Sequence, residues 1–192
     1  VIENYDILRR QLQTLGYVFH SQTDTEVISH LLAHHLEEQI RLNNEPSDVE
    51  TCLRAVSATL DRLHGTFGLG VVFRDLPETI IAARCGSPLV IGVGKNEYFL
   101  ASDASPLVGY TQEVVYLSDN EVAVLQPNGI RIDHRSKGSV APSVITLEQV
   151  ASDTDLGDFE HYMLKEIYEQ PQTVENALRG RLDEEEATAV IG

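Results

Sequence analysis

Hydrophobic residues in the first third of the chain recur every three or four positions, which is the spacing of an amphipathic helix. The spacing predicts three helices, with approximate bounds 5–15, 26–42 and 48–63. Asn4 is the candidate N-cap of the first helix, and Ser47 or Asp48 that of the third. We expect Gly16 and Gly65 to end these two helices, because glycine readily adopts the left-handed conformation of a helix C-terminus.

From Thr66 onward the hydrophobic residues fall in short runs separated by turn residues, a pattern typical of strands. The runs predict strands at about 66–73, 79–84, 89–93, 98–102, 113–117, 121–126 and 130–134. An earlier short strand is predicted at 17–21 and a single helical turn at 103–108. Such short connections favour antiparallel pairing. Helices followed by strands indicate a layered α+β protein.

The last quarter of the chain is more polar. We predict a long loop or the beginning of a linker at 135–143 and a helix at 158–169. Pro171 is expected to open another short helix that runs to Gly180, because proline suits the first turn of a helix. The run Asp183–Glu186 is predicted to be a solvated acidic tail.

The composition is that of a globular protein, with 42% hydrophobic and 23% charged residues among 192. Thirty acidic and 14 basic residues give a formal net charge of −16, which argues against binding to nucleic acid or to an anionic membrane. Two cysteines fit a reducing compartment rather than a disulfide framework. No apolar run approaches the roughly 18 residues of a membrane helix, and no signal peptide is visible. We therefore expect a cytoplasmic protein.

The segment Ser21–Glu26 connects the predicted short strand to the second helix. Asp24 lies in this turn between Thr23 and Thr25, residue types that bond free backbone N–H groups at helix N-termini. Glu26 places negative charge near the positive end of the helix dipole. Taken alone, the pattern is that of a capped strand-to-helix junction.

The histidines, glycines and cysteines carry weaker signals. His30 and His34 can share a face of the second helix, but Leu31 stands where a zinc-protease helix carries Glu, and the spacing suggests no third ligand. Gly65, Gly68 and Gly70 enter a strand and not a helix, as a dinucleotide fingerprint would require, so turn and strand positions that need no side chain explain them better. Cys85 has no basic neighbour except Arg84, so a structural role is favoured over a nucleophilic one. We predict no metal and no cofactor.

Several motifs change the interpretation of Asp24, because they occur in the same order as in one enzyme family. They are Val1–Tyr5, Thr23–Glu26, Ala83–Gly92, Ala101–Ala104 and His161–Pro171. Together they resemble the glutaminase domain of the glutamine–fructose-6-phosphate aminotransferases (isomerizing), which are class II glutamine amidotransferases of the N-terminal-nucleophile hydrolase type. The resemblance covers roughly residues 1–182.

The resemblance implies a fold and an activity. The fold is a four-layer αββα sandwich, here incomplete at its N-terminus. Residues 1–150 would be the C-terminal portion of a glutamine amidotransferase type 2 domain, and 151–192 its end and a linker toward a missing sugar isomerase domain. The family transfers the amide nitrogen of glutamine to fructose 6-phosphate and forms glucosamine 6-phosphate and glutamate. The intact protein is expected to be a homo-oligomer.

The resemblance also implies which residues act. The nucleophilic cysteine, the arginine and the Asn-Gly pair of the family would precede Val1, so we expect no catalytic residue within the chain and no activity of the fragment alone. Asp24 matches the aspartate that binds the α-ammonium group of glutamine. A charge-assisted hydrogen bond of this kind is worth about 1.5–3 kcal/mol. The expected partners are glutamine and, through the isomerase domain, fructose 6-phosphate.

Two alternatives remain open. The chain can belong to another class II amidotransferase, such as one that makes phosphoribosylamine or asparagine, although the run Lys165–Pro171 argues against this. It can also be a non-catalytic acidic α+β module that only binds partners. That alternative requires that no cysteine directly follow the initiator Met.

Overall fold

A computed structural model of the chain describes residues 1–43, 48–147, 156–178, 182–183 and 188–189. The chain divides into two compact units, Val1–Gln149 and Val150–Gly192. In the first unit, three helices precede all of the strands: α1 (Tyr5–Thr14), α2 (Thr25–Asn43) and α3 (Val49–Leu60). The bounds of α1 and α2 agree closely with the predicted ones, because each helix carries the regular hydrophobic spacing that buries one face. The prediction that Gly65 ends the third helix is wrong, since α3 ends at Leu60 with Asp61 as its C-cap.

The strands of the first unit form two antiparallel sheets. They are β1 (Phe67–Phe73), β2 (Leu76–Cys85), β3 (Val90–Val93), β4 (Tyr98–Ala101), β5 (Glu113–Tyr116), β6 (Glu121–Gln126), β7 (Gly129–His134), β8 (Gly138–Val140) and β9 (Ile145–Thr146). Sheet A has the strand order β1-β2-β6-β7-β8, and sheet B has the order β4-β3-β5-β9. The predicted helical turn is a 3₁₀ turn at Ser105–Leu107.

Sheet A lies between the helices and sheet B. Successive side chains of a strand point to opposite faces. Ile81 and Ala83 of β2 therefore pack into the core beneath α1, α2 and α3. Ala82, between them, packs with Ile91 and Val115 of sheet B. The expected α+β sandwich with two facing sheets is confirmed.

The outer face of sheet B has a smaller hydrophobic cluster. Val90 and Val114 are buried there against Leu107 of the 3₁₀ turn, and Phe99 and Leu147 pack at its margin. Within the described part of the first unit, the three α-helices all contribute to the core on sheet A instead.

The short strand predicted at 17–21 is wrong. These residues have no strand partner and follow an irregular path into α2. The reason is local, because the carboxylate of Glu26 accepts the backbone N–H groups of His20 and Ser21, each at 2.7 Å. Donors used in this way are not available to a neighbouring strand.

The predicted N-caps had different outcomes. Asn4 occupies the N-cap position of α1, but its side chain makes no capping hydrogen bond. Instead it donates to the carbonyl of Arg62 at 2.8 Å and accepts the N–H of His64 at 3.0 Å. It thus fastens the beginning of α1 to the chain that leaves α3. Asp48 does cap α3, and its carboxylate accepts the N–H of Thr51 at 2.7 Å.

The predictions after β7 need correction. The segment 135–143 is not simply a loop, since β8 pairs with β7, and β9 pairs with β5 shortly afterwards. In the second unit, α4 spans Tyr162–Leu178, and Pro171 lies inside it instead of opening a new helix. A short pair follows, β10 (Leu182–Asp183) with β11 (Thr188–Ala189).

Two polar segments of the sequence lie mostly outside the described residues, namely 43–47, which its composition predicts to be a loop, and the acidic run Asp183–Glu186. None of the helices in the described part of the chain has the length and apolar character needed to cross a membrane.

Candidate functional site

Asp24 directly precedes α2 and is half-buried. Its carboxylate oxygen Oδ2 accepts the backbone N–H of Ile2 at 2.7 Å, and the hydroxyl of Thr25 lies 3.4 Å from Oδ1. The hydrogen bond from Ile2 is the main cause that lowers the pKa of Asp24 below its ordinary value. Among the described residues, no cationic side chain forms an ion pair with this carboxylate. It is therefore an ionised group, and Oδ1 has only a long contact to a protein donor.

Asp24 lines a cavity of about 500 Å³. This volume is within the range of small-molecule pockets, about 300–1,000 Å³. The lining residues come from the beginning of the chain, the beginnings of α2 and β1, the connection between β2 and β3, and Ser102 after β4. The cavity thus joins segments that are far apart in sequence, and Ser87 and Ser102 supply hydroxyl groups in addition to the carboxylate.

Glu26 organises the turn that carries Asp24. Its Oε1 accepts the N–H of His20, and its Oε2 accepts both the N–H and the hydroxyl of Ser21, at 2.7 and 2.6 Å. The hydroxyl of Ser21 also lies 2.8 Å from that of Thr23. These bonds, led by the one from the Ser21 hydroxyl, lower the pKa of Glu26 to about 2. The sequence suggested only a favourable charge at the helix end and missed this network.

The histidines of α2 pack beside aromatic rings. His30 lies 4.6 Å from Phe19 between ring centroids, and its Nε2 is 3.4 Å from the carboxylate of Glu26. His34 lies edge-on to Tyr17 at 6.1 Å. In the portion of the chain that the structure describes, no three His, Cys, Asp or Glu side chains are placed to hold one metal ion.

The cysteines lie apart from the Asp24 cavity. Cys52 is fully buried in the core beneath the helices, which agrees with its position on the hydrophobic face of α3. Cys85 is the last residue of β2 and is partly buried against the same core. Neither residue lines the cavity.

A larger groove of about 690 Å³ runs between α2 and β1. Its lining is mostly apolar, with Leu32 and Leu36 from α2 and Leu69, Val71 and Phe73 from β1. It meets the Asp24 cavity at Thr25 and Ile28. Glu26 lines this larger groove, but both of its carboxylate oxygens are already bonded to His20 and Ser21. We therefore place the candidate site in the smaller cavity, where the ionised carboxylate of Asp24 accepts only one short hydrogen bond.

The sequence of the first unit matches a known family. Residues 1–109, more than half of the chain, match the family model described as glutamine amidotransferase domain. The chain belongs to this family.

Two curated relatives of this amidotransferase chain carry the name glutamine–fructose-6-phosphate aminotransferase (isomerizing). The protein of Bacteroides thetaiotaomicron is 40% identical over 192 residues, which is 100% of this chain and 30% of the relative. That of Pseudomonas syringae pv. tomato is 42% identical over 182 residues, or 95% of this chain and 28% of the relative. The chain thus spans less than a third of the length of these relatives.

Solved structures support the amidotransferase fold. Glutamine phosphoribosylpyrophosphate amidotransferase from Bacillus subtilis, in complex with ADP and GMP, superimposes with a TM-score of 0.55 at 22% identity, covering 72% of this chain and 28% of that one. A structure described as the allosteric regulatory enzyme of purine biosynthesis gives a TM-score of 0.53 at 23% identity. At this level of identity the likeness concerns the fold.

The sequence motifs contain part of the lining of the Asp24 cavity. The motifs that suggested the family contain Asp24, Ser87 and Ser102, but their spacing gave no sign that these residues meet at one cavity. Gly68, also in the lining, was noticed only as a strand glycine. The pairing of β1 with β2 brings Gly68 close to the segment that contains Ser87.

Proposed function

We propose that this chain is part of an enzyme that transfers the amide nitrogen of glutamine to fructose 6-phosphate, giving glucosamine 6-phosphate and glutamate. The support is the name shared by relatives that are about 40% identical over the whole length of the chain. In this proposal the described unit helps to bind glutamine, and the sugar phosphate is bound elsewhere in the enzyme.

Asp24 is the proposed contact for the α-ammonium group of glutamine. The observation that carries this assignment is an ionised carboxylate, bonded by Ile2 on one oxygen, at a cavity of suitable size. The bond from Ile2 fixes the carboxylate in place, so little side-chain entropy is lost on binding. A cationic amino group that approaches Oδ1 gains a charge-assisted hydrogen bond. Such a contact selects free glutamine over a glutamine whose amino group is in a peptide bond.

The proposal extends to the organisation of the enzyme. Residues 1–150 belong to the glutaminase domain, and residues 151–192 form its end and the connection toward a sugar isomerase domain. The intact enzyme is a homo-oligomer in this proposal. Two free cysteines, Cys52 and Cys85, support a reducing compartment such as the cytoplasm.

The test is the Asp24→Ala substitution in the full-length enzyme, with Asp24→Asn beside it. Loss of a contact worth about 1.5–3 kcal/mol predicts a KM for glutamine that rises by about 10- to 150-fold. Isomerisation of fructose 6-phosphate without glutamine should stay near the wild-type rate, because that reaction does not use this cavity. Asp75→Ala is the matched control, since Asp75 lies on an exposed turn and is paired with Arg74.

Product analysis separates the proposal from its alternatives. Glucosamine 6-phosphate formed from glutamine and fructose 6-phosphate supports the proposed acceptor. Use of a different acceptor would assign the chain to another class II amidotransferase. An unchanged KM for glutamine in the Asp24 variants would remove the role assigned to this carboxylate.

A further inference from the structure

The connection between β2 and β3 is held by the turn between β5 and β6, which joins the two sheets. Asp119, in the turn between β5 and β6, accepts the backbone N–H of Gly86 on its Oδ1 at 2.9 Å. The same oxygen lies 3.2 Å from Nε of Arg84, within ion-pair distance. Arg84 also donates a hydrogen bond from its guanidinium group to the carbonyl of Leu117. One carboxylate oxygen therefore joins the side chain of Arg84 to the first residue of the connection.

Backbone hydrogen bonds reinforce this contact on both sides. The N–H of Asn120 donates to the carbonyl of Arg84 at 2.9 Å, and the N–H of Leu117 donates to the carbonyl of Leu89 at 3.1 Å. Residues 117–120 thus contact the chain immediately before and immediately after the connecting loop Gly86–Pro88. Within that loop, only the N–H of Gly86 is bound by the carboxylate of Asp119.

The loop Gly86–Pro88 is also part of the Asp24 cavity. Ser87 and Pro88 line it, together with Gly68 of β1. The loop lies close against β1, since a Cβ atom on Gly68 would be 3.2 Å from the carbonyl oxygen of Pro88. A small displacement of the loop therefore changes the width of the cavity.

Asp119 itself does not line the cavity, and its side chain is 54% exposed. Arg84 is better covered, with 25% of its side chain exposed. An ion pair this open to solvent contributes little to the stability of the whole fold. The contacts of Asp119 instead concern one loop, and that loop borders the proposed glutamine site.

We propose that Asp119 is a positioning residue for glutamine binding, which holds the loop Gly86–Pro88 against β1 and thereby sets the shape of the cavity at Asp24. This inference rests on the proposed function. In this proposal Asp119 does not contact the substrate. It affects glutamine binding only by holding Gly86, and with it Ser87 and Pro88, which line the cavity.

The experiment compares Asp119→Ala, Asp119→Asn and Asp75→Ala in the full-length enzyme. A substitution that weakens binding of the substrate and of the transition state equally raises KM and leaves kcat unchanged. We therefore expect Asp119→Ala to raise the KM for glutamine by about three- to tenfold, with kcat within about twofold of wild type. Asp119→Asn keeps an amide oxygen that can accept the N–H of Gly86, and should recover at least half of the effect on a logarithmic scale. Asp75→Ala should leave the KM unchanged, because Asp75 contacts only the neighbouring Arg74.

The thermal midpoint and the glutamine-independent isomerisation of each variant complete the test. If Asp119→Ala lowers the midpoint strongly and reduces both activities together, its role is structural and the inference is overturned. If the Asp24 variants raise the KM for glutamine while Asp119→Ala does not, the inference fails and the proposed function stands. If neither position affects the KM, the glutamine contact assigned to Asp24 fails and the inference fails with it, while product analysis still decides the proposed reaction.

Discussion

Asp24 and Glu26 lie two positions apart, and their partners give them different tasks. Both carboxylate oxygens of Glu26 accept hydrogen bonds from His20 and Ser21 within the same turn. This carboxylate therefore holds the conformation of the turn. Asp24 uses one oxygen on Ile2 and leaves the other with a single long contact. The resemblance assigns the glutamine contact to Asp24 and gives Glu26 only a favourable charge at the helix end. The hydrogen bonds add a physical difference, since both oxygens of Glu26 are bonded within the turn and only one oxygen of Asp24 accepts a short hydrogen bond.

The pH dependence of stability tests the task of Glu26. Its pKa is lowered from 4.5 to about 2, so the folded state favours the ionised form. The stabilisation is fully present above the ordinary pKa of 4.5 and is lost as the pH falls through about 2. Glu26→Gln should therefore lower the thermal midpoint at pH 7, and the difference from wild type should shrink steadily below pH 4.5.

Glu38→Gln on the same helix serves as the control for this series. Glu38 contacts the rings of His34 and His35, at 3.8 and 3.4 Å, and the described contacts give it no backbone N–H to accept. A difference for Glu26→Gln that stays constant from pH 7 to about pH 2 would show that the ionised form of Glu26 has no special value for the fold.

At the scale of elements, segments with a clear hydrophobic pattern are predictable from the sequence, whereas the shortest strands and the irregular segment before α2 are not. Helix α2 and strand β6 were predicted nearly to the residue, because each has a long, regular hydrophobic pattern. The residues 17–21 have the composition of a strand, but a side chain outside the segment takes its backbone donors. Strands β8 and β9, three and two residues long, contain too few hydrophobic residues to be detected. Nothing in the described contacts explains why α4 continues through Pro171.

The packing between the two sheets gives a prediction at this scale. Ile91 of β3 is fully buried in the core that joins sheet B to sheet A, next to the small residues Ala82 and Ala123. The methyl group of an alanine cannot change its position unless the backbone moves, so the neighbouring alanines cannot fill the space that Ile91→Ala leaves. We expect this cavity to reduce the free energy of unfolding by about 2–5 kcal/mol. Chemical denaturation measures this change.

Val72→Ala is the matched control for Ile91→Ala. Val72 lies on β1 with 71% of its surface exposed, so its truncation should change the free energy of unfolding by less than about 0.5 kcal/mol. Equal effects of the two substitutions would contradict the stacking of the two sheets.

For the whole molecule, the fold class and the candidate carboxylate were within reach of the sequence, but the cavity was not. Asp24 was found through its motif, and the helices-then-strands order indicated an α+β protein. The cavity depends on contacts between segments far apart in the sequence, because Val1, Asp24 and Ser102 come from outside the β1–β2 pair that contributes Gly68 and Ser87. Hydrophobic spacing reports which face of a strand is buried and carries no information about its neighbours. The support that Asp119 gives to Gly86 depends on the same long-range order.

The net charge of −16 leads to a prediction about salt. With 30 acidic and 14 basic residues, repulsion among like charges opposes the compact state, and it extends over about 30 Å at 0.01 M salt but under 10 Å above about 0.15 M. Salt also weakens attractive pairs such as Arg131 with Glu50, but pairs this exposed contribute only about 0–1 kcal/mol each. Repulsion is therefore the larger effect, and the thermal midpoint of the chain should rise as NaCl increases from about 0.01 to about 0.3 M.

The salt series needs a second anion to separate screening from other effects of salt on protein surfaces. Screening depends only on ionic strength, so sodium thiocyanate should raise the midpoint as much as NaCl does at concentrations below about 0.1 M. Salts that act through hydration of the surface differ from one another. A midpoint that falls with NaCl would mean that ion pairs such as Arg131 with Glu50 and Arg135 with Asp61 outweigh the repulsion. In that case local ion pairs would offset the repulsion among the acidic residues. Substitution of Arg131 or Arg135 should then abolish the fall of the midpoint with NaCl.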